Sequence, residues 1–129
     1  MLYIAIDGDN IGATVERYVI LEERDALTQY AASVDSAIKR LGDELSAIGG
    51  LIVFCGGDSV LAEFSEDQEI ALIKKLIFRT RNIGISIGSG STMREAYLAL
   101  KMAKTSGKGC WVEFETLEQH ETFMENSTE

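Results

Sequence analysis

A chain of 129 residues, 46% hydrophobic and 26% charged, with 12 glycines and no proline, has the balance of one compact domain and leaves no room for a second. No run of about 18 apolar residues is present to cross a bilayer, and the start MLYIAIDGDN lacks the basic residues and cleavage site of a signal peptide, so a cytoplasmic protein without membrane insertion is expected. The net charge of −9, from 21 acidic against 12 basic residues, argues against a protein that coats a nucleic-acid polymer, although eight of the basic residues fall between Lys74 and Lys108, where Glu95 is the only acid.

Residues 2–6 (LYIAI) form an apolar run that breaks off at the polar, glycine-containing DGDNIG. This is the pattern of a buried strand feeding a loop, with Asp7 at the strand end. From Asp25 to Ile48 apolar residues recur three and four apart, at Leu27, Tyr30, Val34, Ile38, Leu41 and Leu45, which marks one face of a helix that Gly49-Gly50 stops. The runs LIVFC (51–55) and VLAEF (60–64) are separated only by Gly56-Gly57-Asp58-Ser59. Four residues are too few for a crossover helix, so a β-hairpin with an acidic tip is expected. Ser65 and Gln68 have capping-box spacing and open a second helix running to about Thr80. A strand over 83–87 and a Gly/Ser loop over 88–91 follow. Thr92 and Glu95 make a second capping box, and Ala96, Leu100 and Ala103 give a narrow stripe able to lie close to a sheet, ending near Ser106-Gly107. A last strand, CWVEF (110–114), precedes an acidic tail, 115–129, expected to be frayed; it contains the single histidine, His120, a bystander. Cys55 and Cys110 lie in apolar strands without paired spacing and are expected to be buried free thiols.

The order strand, helix, strand, strand, helix, strand, helix, strand contains the split β-α-β unit of a ferredoxin-like fold with one appended helix and strand. An α+β domain over 1–114 is therefore expected, a mainly antiparallel sheet with helices on one face. That topology sets the first strand beside the hairpin, so Asp7 and Asp58 converge. Two carboxylates at one sheet edge repel each other, and a divalent cation is the usual remedy. Mg2+, or Mn2+, suits Asp7, the carbonyl of Gly8 and Asp58, with Asp9 in reach of a second ion for in-line displacement at phosphorus. Asp7 and Asp58 are the candidate catalytic residues. Gly8, Gly12, Gly56 and Gly57 clear side chains from where phosphate would meet backbone N–H groups, and Lys104 and Lys108 are placed to neutralise triphosphate oxygens. An EF-hand starting at Asp7 fails, because Ile11 and Tyr18 stand where ligands are required.

In order and spacing, IAIDGDNIG (4–12), FCGGDSVLA (54–62), ISIGSG (85–90) and ALKMAKTSGKGCWVEF (99–114) resemble the palm-type nucleotidyl cyclases and polymerases, which include the GGDEF diguanylate cyclases and the type III CRISPR polymerase subunit. Within that group the chain is most similar to the minimal CRISPR polymerase family, mCpol. The resemblance implies an enzyme that joins ATP into a cyclic dinucleotide, of the mixed 2′,3′-linked cyclic di-AMP type, with release of pyrophosphate. It implies a setting in anti-phage defence, with the product read by a separate membrane effector. It also implies that Asp7, Gly8 and Asp58 hold the metals, that backbone N–H groups at Asn10, Ile11 and Gly12 meet the phosphates, and that Lys104 contacts the triphosphate. The chain departs from diguanylate cyclases in Gly12, Val15 and Glu16, where they resemble Lys, Asn and Asp, which disfavours a GTP-specific enzyme. Ser59 stands where the CRISPR polymerase carries a second tip acid, leaving it a nucleotide or water contact and motivating an alternative, a palm domain that senses nucleotide without chemistry. Closing a ring from two nucleotides is simplest across a symmetric homodimer, for which residues 8–24 and the hairpin tip are the exposed candidates.

Overall fold

The computed structural model describes residues 1–66, 70–79 and 83–114. Five strands and four helices follow in the order β1 (Leu2–Gly8), α1 (Ile11–Ile20), α2 (Arg24–Ala47), β2 (Leu51–Gly56), β3 (Ser59–Phe64), α3 (Ile70–Phe78), β4 (Ile85–Gly90), α4 (Met93–Thr105) and β5 (Trp111–Glu113). They form one sheet in the order β2-β3-β1-β4-β5, antiparallel except for the β4–β5 pair. The α+β class and the predominantly antiparallel sheet agree with the expectation from sequence. Gln68, Thr80, Arg81, His120 and the tail 115–129 lie outside the described residues.

Side chains alternate between faces along a strand, and β1 shows where each goes. Ile4 and Ile6 join Val60, Ala62 and Phe64 beneath Val34, Ile38, Leu41 and Leu45 of α2 and Ile73 and Ile77 of α3. Ala5, between them, faces the other way and packs with Ala96 and Leu100 of α4. Helices therefore cover both faces, not one as expected, because β1 is apolar at consecutive positions. Among the described residues no helix is long and apolar enough to cross a membrane.

Two segments read as loops are regular structure. Residues 11–20 form a helix that buries none of its side chains fully. It is held instead by Asn10, whose left-handed backbone (φ 60°, ψ 21°) reverses the chain and whose carbonyl accepts from Thr14 N–H, and by Tyr18, whose ring lies tilted against Tyr30 of α2 with centroids 5.8 Å apart. Gly88, Ser89 and Gly90 continue β4 rather than leaving it, since α4 lies directly on them. At the second capping-box position Thr92 Oγ1 accepts from Glu95 N–H at 3.1 Å as expected, while the Glu95 carboxylate reaches one residue past the cap and accepts from Ser91 N–H at 2.9 Å. Both cysteines are free thiols, but Cys55 is exposed because β2 is an edge strand.

Candidate active site

β1 is the central strand, so its C-terminal end is flanked on both sides. Asp7 is in register with Ser59 of β3 and Ser86 of β4. Gly8 N–H donates to the Asp58 carbonyl at 2.9 Å, which ties the hairpin tip to β1. The close approach requires glycine: a Cβ at Gly8 would lie 2.6 Å from Ile11 Cγ1 and 3.1 Å from Asp58 Cβ. At the tip, Gly57 turns the chain with φ 57°, a region that disfavours larger residues, and presents Asp58. The expected convergence of Asp7 and Asp58 is thus present, built by strand order and two glycines.

The charges at this edge are arranged around one ammonium group. Lys104, on the last turn of α4, donates to the Gly8 carbonyl at 2.6 Å and to Asp9 Oδ1 at 2.9 Å, and lies 3.1 Å from Asp7 Oδ2. Burial opposes its charge, but the hydrogen bonds to Asp9 and Asp7 prevail and raise its pKa. The Asp58 carboxyl is pushed up, first by burial and then by the charge of Asp7. Asp7 Oδ1 accepts from Ser59 Oγ at 2.6 Å. At this edge, then, positive charge is stabilised and negative charge is in surplus.

Asp9, expected from sequence as a reserve metal ligand, has both oxygens engaged: Oδ1 by Ser86 Oγ at 2.7 Å and Lys104, Oδ2 by Gly109 N–H at 2.9 Å. Its side chain is only 8% exposed. Burial opposes its ionisation, yet these donors outweigh burial and hold its carboxyl below the usual range. Among the described residues no three His, Cys, Asp or Glu side chains group as a metal-holding cluster; Asp7 and Asp58 are a pair, which suits an ion that keeps most of its water.

The remaining expected residues gather around this edge. Lys108 Nζ donates to Asn10 Oδ1 at 2.5 Å. Ile11, Gly12, Gly57 and Asp58 line a cavity of about 510 Å3 against α2, where a Cβ at Gly12 would meet nothing within 4 Å. Gly56 closes β2 just before the tip. Ser86 and Gly109, which clamp Asp9, were not anticipated. The available signals were a lone serine in an apolar strand, here fully buried, and glycines with positive φ on both sides of Lys108.

Lys104→Met is expected to destabilise the fold by about 2 kcal/mol, because Asp9 would stay buried without its cation. The pH dependence carries the sign. Asp9, with its lowered pKa, contributes stability above the ordinary carboxylate range that is lost as pH falls through it, and Lys104, with its raised pKa, contributes stability lost only at strongly alkaline pH. Thermal unfolding from pH 7 down to 3 should show the variant losing less on acidification than the wild type.

A family model, the minimal CRISPR polymerase domain mCpol, matches residues 3–114. No curated protein matches the chain in sequence. Among solved structures, the GGDEF domain of DgcB from Caulobacter crescentus, in complex with c-di-GMP, is similar at 16% identity and TM-score 0.60, over 88% of this chain and 77% of that one. The GGDEF domain of YfiN from Pseudomonas aeruginosa gives 15% identity and TM-score 0.61 over 92% and 81%. The active GGEEF domain of a diguanylate cyclase from Vibrio cholerae gives 14% and 0.57 over 88% and 81%. At such identities the likeness is one of fold.

Proposed function

The chain belongs to the minimal CRISPR polymerase domain family, mCpol, and from that membership we propose that it converts ATP to a cyclic dinucleotide with release of pyrophosphate. The observation that carries this reading is the cation-collecting edge where the Asp7 and Asp58 carboxylates meet the Gly8 carbonyl and Lys104. The donor set fits Mg2+ or Mn2+: two carboxylates and a carbonyl are hard oxygen ligands, and the Lys104 ammonium already stands among three such oxygens. Asp7, Gly8 and Asp58 would hold the ion, which when bound neutralises charge on the donor triphosphate.

The chain's own groups do the rest. The first N–H groups of α1, at Ile11 and Gly12, have no partner within the helix and favour phosphate at a helix start. Lys108, and Lys104 once turned from its present partners, offer ammonium groups to the same phosphates. Asp9, fixed by Ser86 and Gly109, positions Lys104. A ribose hydroxyl of a second ATP then displaces pyrophosphate from the α-phosphorus, and catalysis is mostly positioning and charge neutralisation. The family likeness extends the proposal to a 2′,3′-linked cyclic di-AMP, a homodimer, and a defence signal read by a separate membrane effector. One observation favours nucleotide sensing without chemistry: Ser59, in place of a second acid, caps Asp7 with its hydroxyl. Incubating the purified chain with each ribonucleoside triphosphate and Mg2+ or Mn2+, with mass spectrometry of the products, separates the two. A cyclic adenylate is expected; nucleotide binding without product would leave the sensor.

A further inference from the structure

A lysine ends in an ammonium group with three N–H donors and no acceptor. Lys104 commits all three at the end of β1, to the Gly8 carbonyl at 2.6 Å, to Asp9 Oδ1 at 2.9 Å and to Asp7 Oδ2 at 3.1 Å. Two of these oxygens, those of Gly8 and Asp7, are the ones assigned above to a divalent ion. The second Asp7 oxygen accepts from Ser59 Oγ at 2.6 Å, so neither oxygen of that carboxylate lacks a donor.

The two lysines of this edge are held differently. Lys104 leaves the last turn of α4 with its side chain only 24% exposed, and its partner Asp9 is itself clamped by Ser86 and Gly109. Lys108 follows the helix with a left-handed backbone (φ 64°) between Gly107 and Gly109, both also of positive φ, and among the described residues its ammonium meets only Asn10 Oδ1. Lys108 therefore has donors to spare for a phosphate, and Lys104 has none.

A divalent ion that took the Gly8 and Asp7 oxygens while Lys104 stayed would share ligands with an ammonium of like charge, in a partly buried place where screening is weak. One of the two cations must give way. Water is a poor reason for the lysine to leave, because Asp9 would stay buried without its cation. A triphosphate is a better one, since its oxygens accept the same N–H donors with charge.

We propose that the Lys104 ammonium is a built-in counter-ion that keeps free divalent cation off the Asp7 and Gly8 oxygens until a nucleoside triphosphate draws it away, so that metal and substrate enter together. The inference rests on the cyclase reading, which gives those oxygens to the metal, and it adds an order of events. Lys108 and the N–H groups of Ile11 and Gly12 meet the triphosphate first, and Lys104 then turns to it and frees its protein oxygens. By linkage the triphosphate raises metal affinity by the factor by which metal raises triphosphate affinity. The edge thus responds to the metal–nucleotide complex and not to free metal.

The test titrates Mn2+ alone into the intact chain, followed by calorimetry and by paramagnetic broadening of the NMR signals of Asp7, Gly8 and Asp58. Wild type is expected to bind weakly, and Lys104→Met about ten- to a hundredfold more tightly. Mn2+ should also raise the melting temperature of Lys104→Met by more than that of wild type, because it replaces the charge that Asp9 lost. Lys108→Met removes the same charge from the same edge but frees neither Asp7 nor Gly8, so its Mn2+ affinity should rise by less than about fivefold. With saturating α,β-methylene-ATP the gap between wild type and Lys104→Met should close. Lys104→Gln, uncharged but still an N–H donor, repeats the measurement should Lys104→Met not fold. Equal Mn2+ affinity in wild type and the Lys104 variants overturns the proposal, and so does an equal rise in Lys108→Met, which makes the effect one of net charge. Product from ATP without the Mn2+ difference sinks the counter-ion and spares the cyclase; the Mn2+ difference in a chain that makes no product sinks the cyclase and supports the counter-ion on a nucleotide sensor.

Discussion

Asp58→Asn is expected to lower cyclic product formation by at least about a thousandfold while leaving the fold as stable as before or slightly more so. The two effects share a cause. Burial and the charge of Asp7 push the Asp58 carboxyl up, so its ionised form is held at a cost that folding elsewhere offsets. Asparagine keeps the shape and keeps the backbone carbonyl that accepts from Gly8 N–H, yet removes the charge and with it the repulsion. What is lost is one of two carboxylates available to a divalent ion, and a thousandfold corresponds to about 4 kcal/mol of transition-state stabilisation. The pH dependence follows from the raised pKa: the folded wild type takes up this proton more readily than the unfolded chain, so Asp58 alone makes folding more favourable as pH falls through its raised range. In Asp58→Asn that gain is absent. Mass spectrometry of products beside a thermal melt checks both halves; full turnover in the variant would remove Asp58 from the chemistry.

The parts of this edge legible in sequence are those set by chain length and periodicity. Four residues between two apolar runs allow only a hairpin, and a hairpin beside the first strand brings Asp58 to Asp7. The stripe of Ala96, Leu100 and Ala103 foretold close packing of α4. What stayed hidden depends on contacts distant in sequence. α1 buries nothing fully, and its stripe of Ile11, Val15 and Tyr18 is too short to stand out; its start is set by the left-handed Asn10, which a local pattern reads as a turn. Gly88 and Gly90 are loop formers by propensity and strand residues here because a helix backbone needs their missing side chains. Nor does sequence tell which protein oxygens a lysine will meet: Lys104 joins Asp7, Gly8 and Asp9, three partners about a hundred residues away. The bulge at Val53 leaves no sequence trace, since LIVFC is apolar at every position and either face would accept it.

Gly88→Ala is expected to cost about 3–5 kcal/mol, a large share of the 5 to 15, roughly, that holds a domain together. A Cβ at this position would lie 2.1 Å from Leu100 N, 2.3 Å from the Ala96 carbonyl oxygen and 2.7 Å from Ala99 C. All three are backbone atoms of α4, so no side-chain rotation relieves the clash and the helix must lift. Lifting uncovers the small cluster of Ala5, Ala96 and Leu100 and draws Lys104 away from the Asp7 and Asp9 carboxylates, so a site far along the sheet is disturbed through helix placement alone. Gly12→Ala supplies the contrast. Its Cβ would meet nothing within 4 Å, the position is helical, and the change should stabilise by about 0.5–1 kcal/mol through helix propensity. Denaturant midpoints of the two variants should therefore move in opposite directions at similar slope. A Gly88→Ala midpoint level with that of Gly12→Ala would mean that α4 is not seated on β4 at this distance, and that the lysine it carries reaches the metal edge by another route.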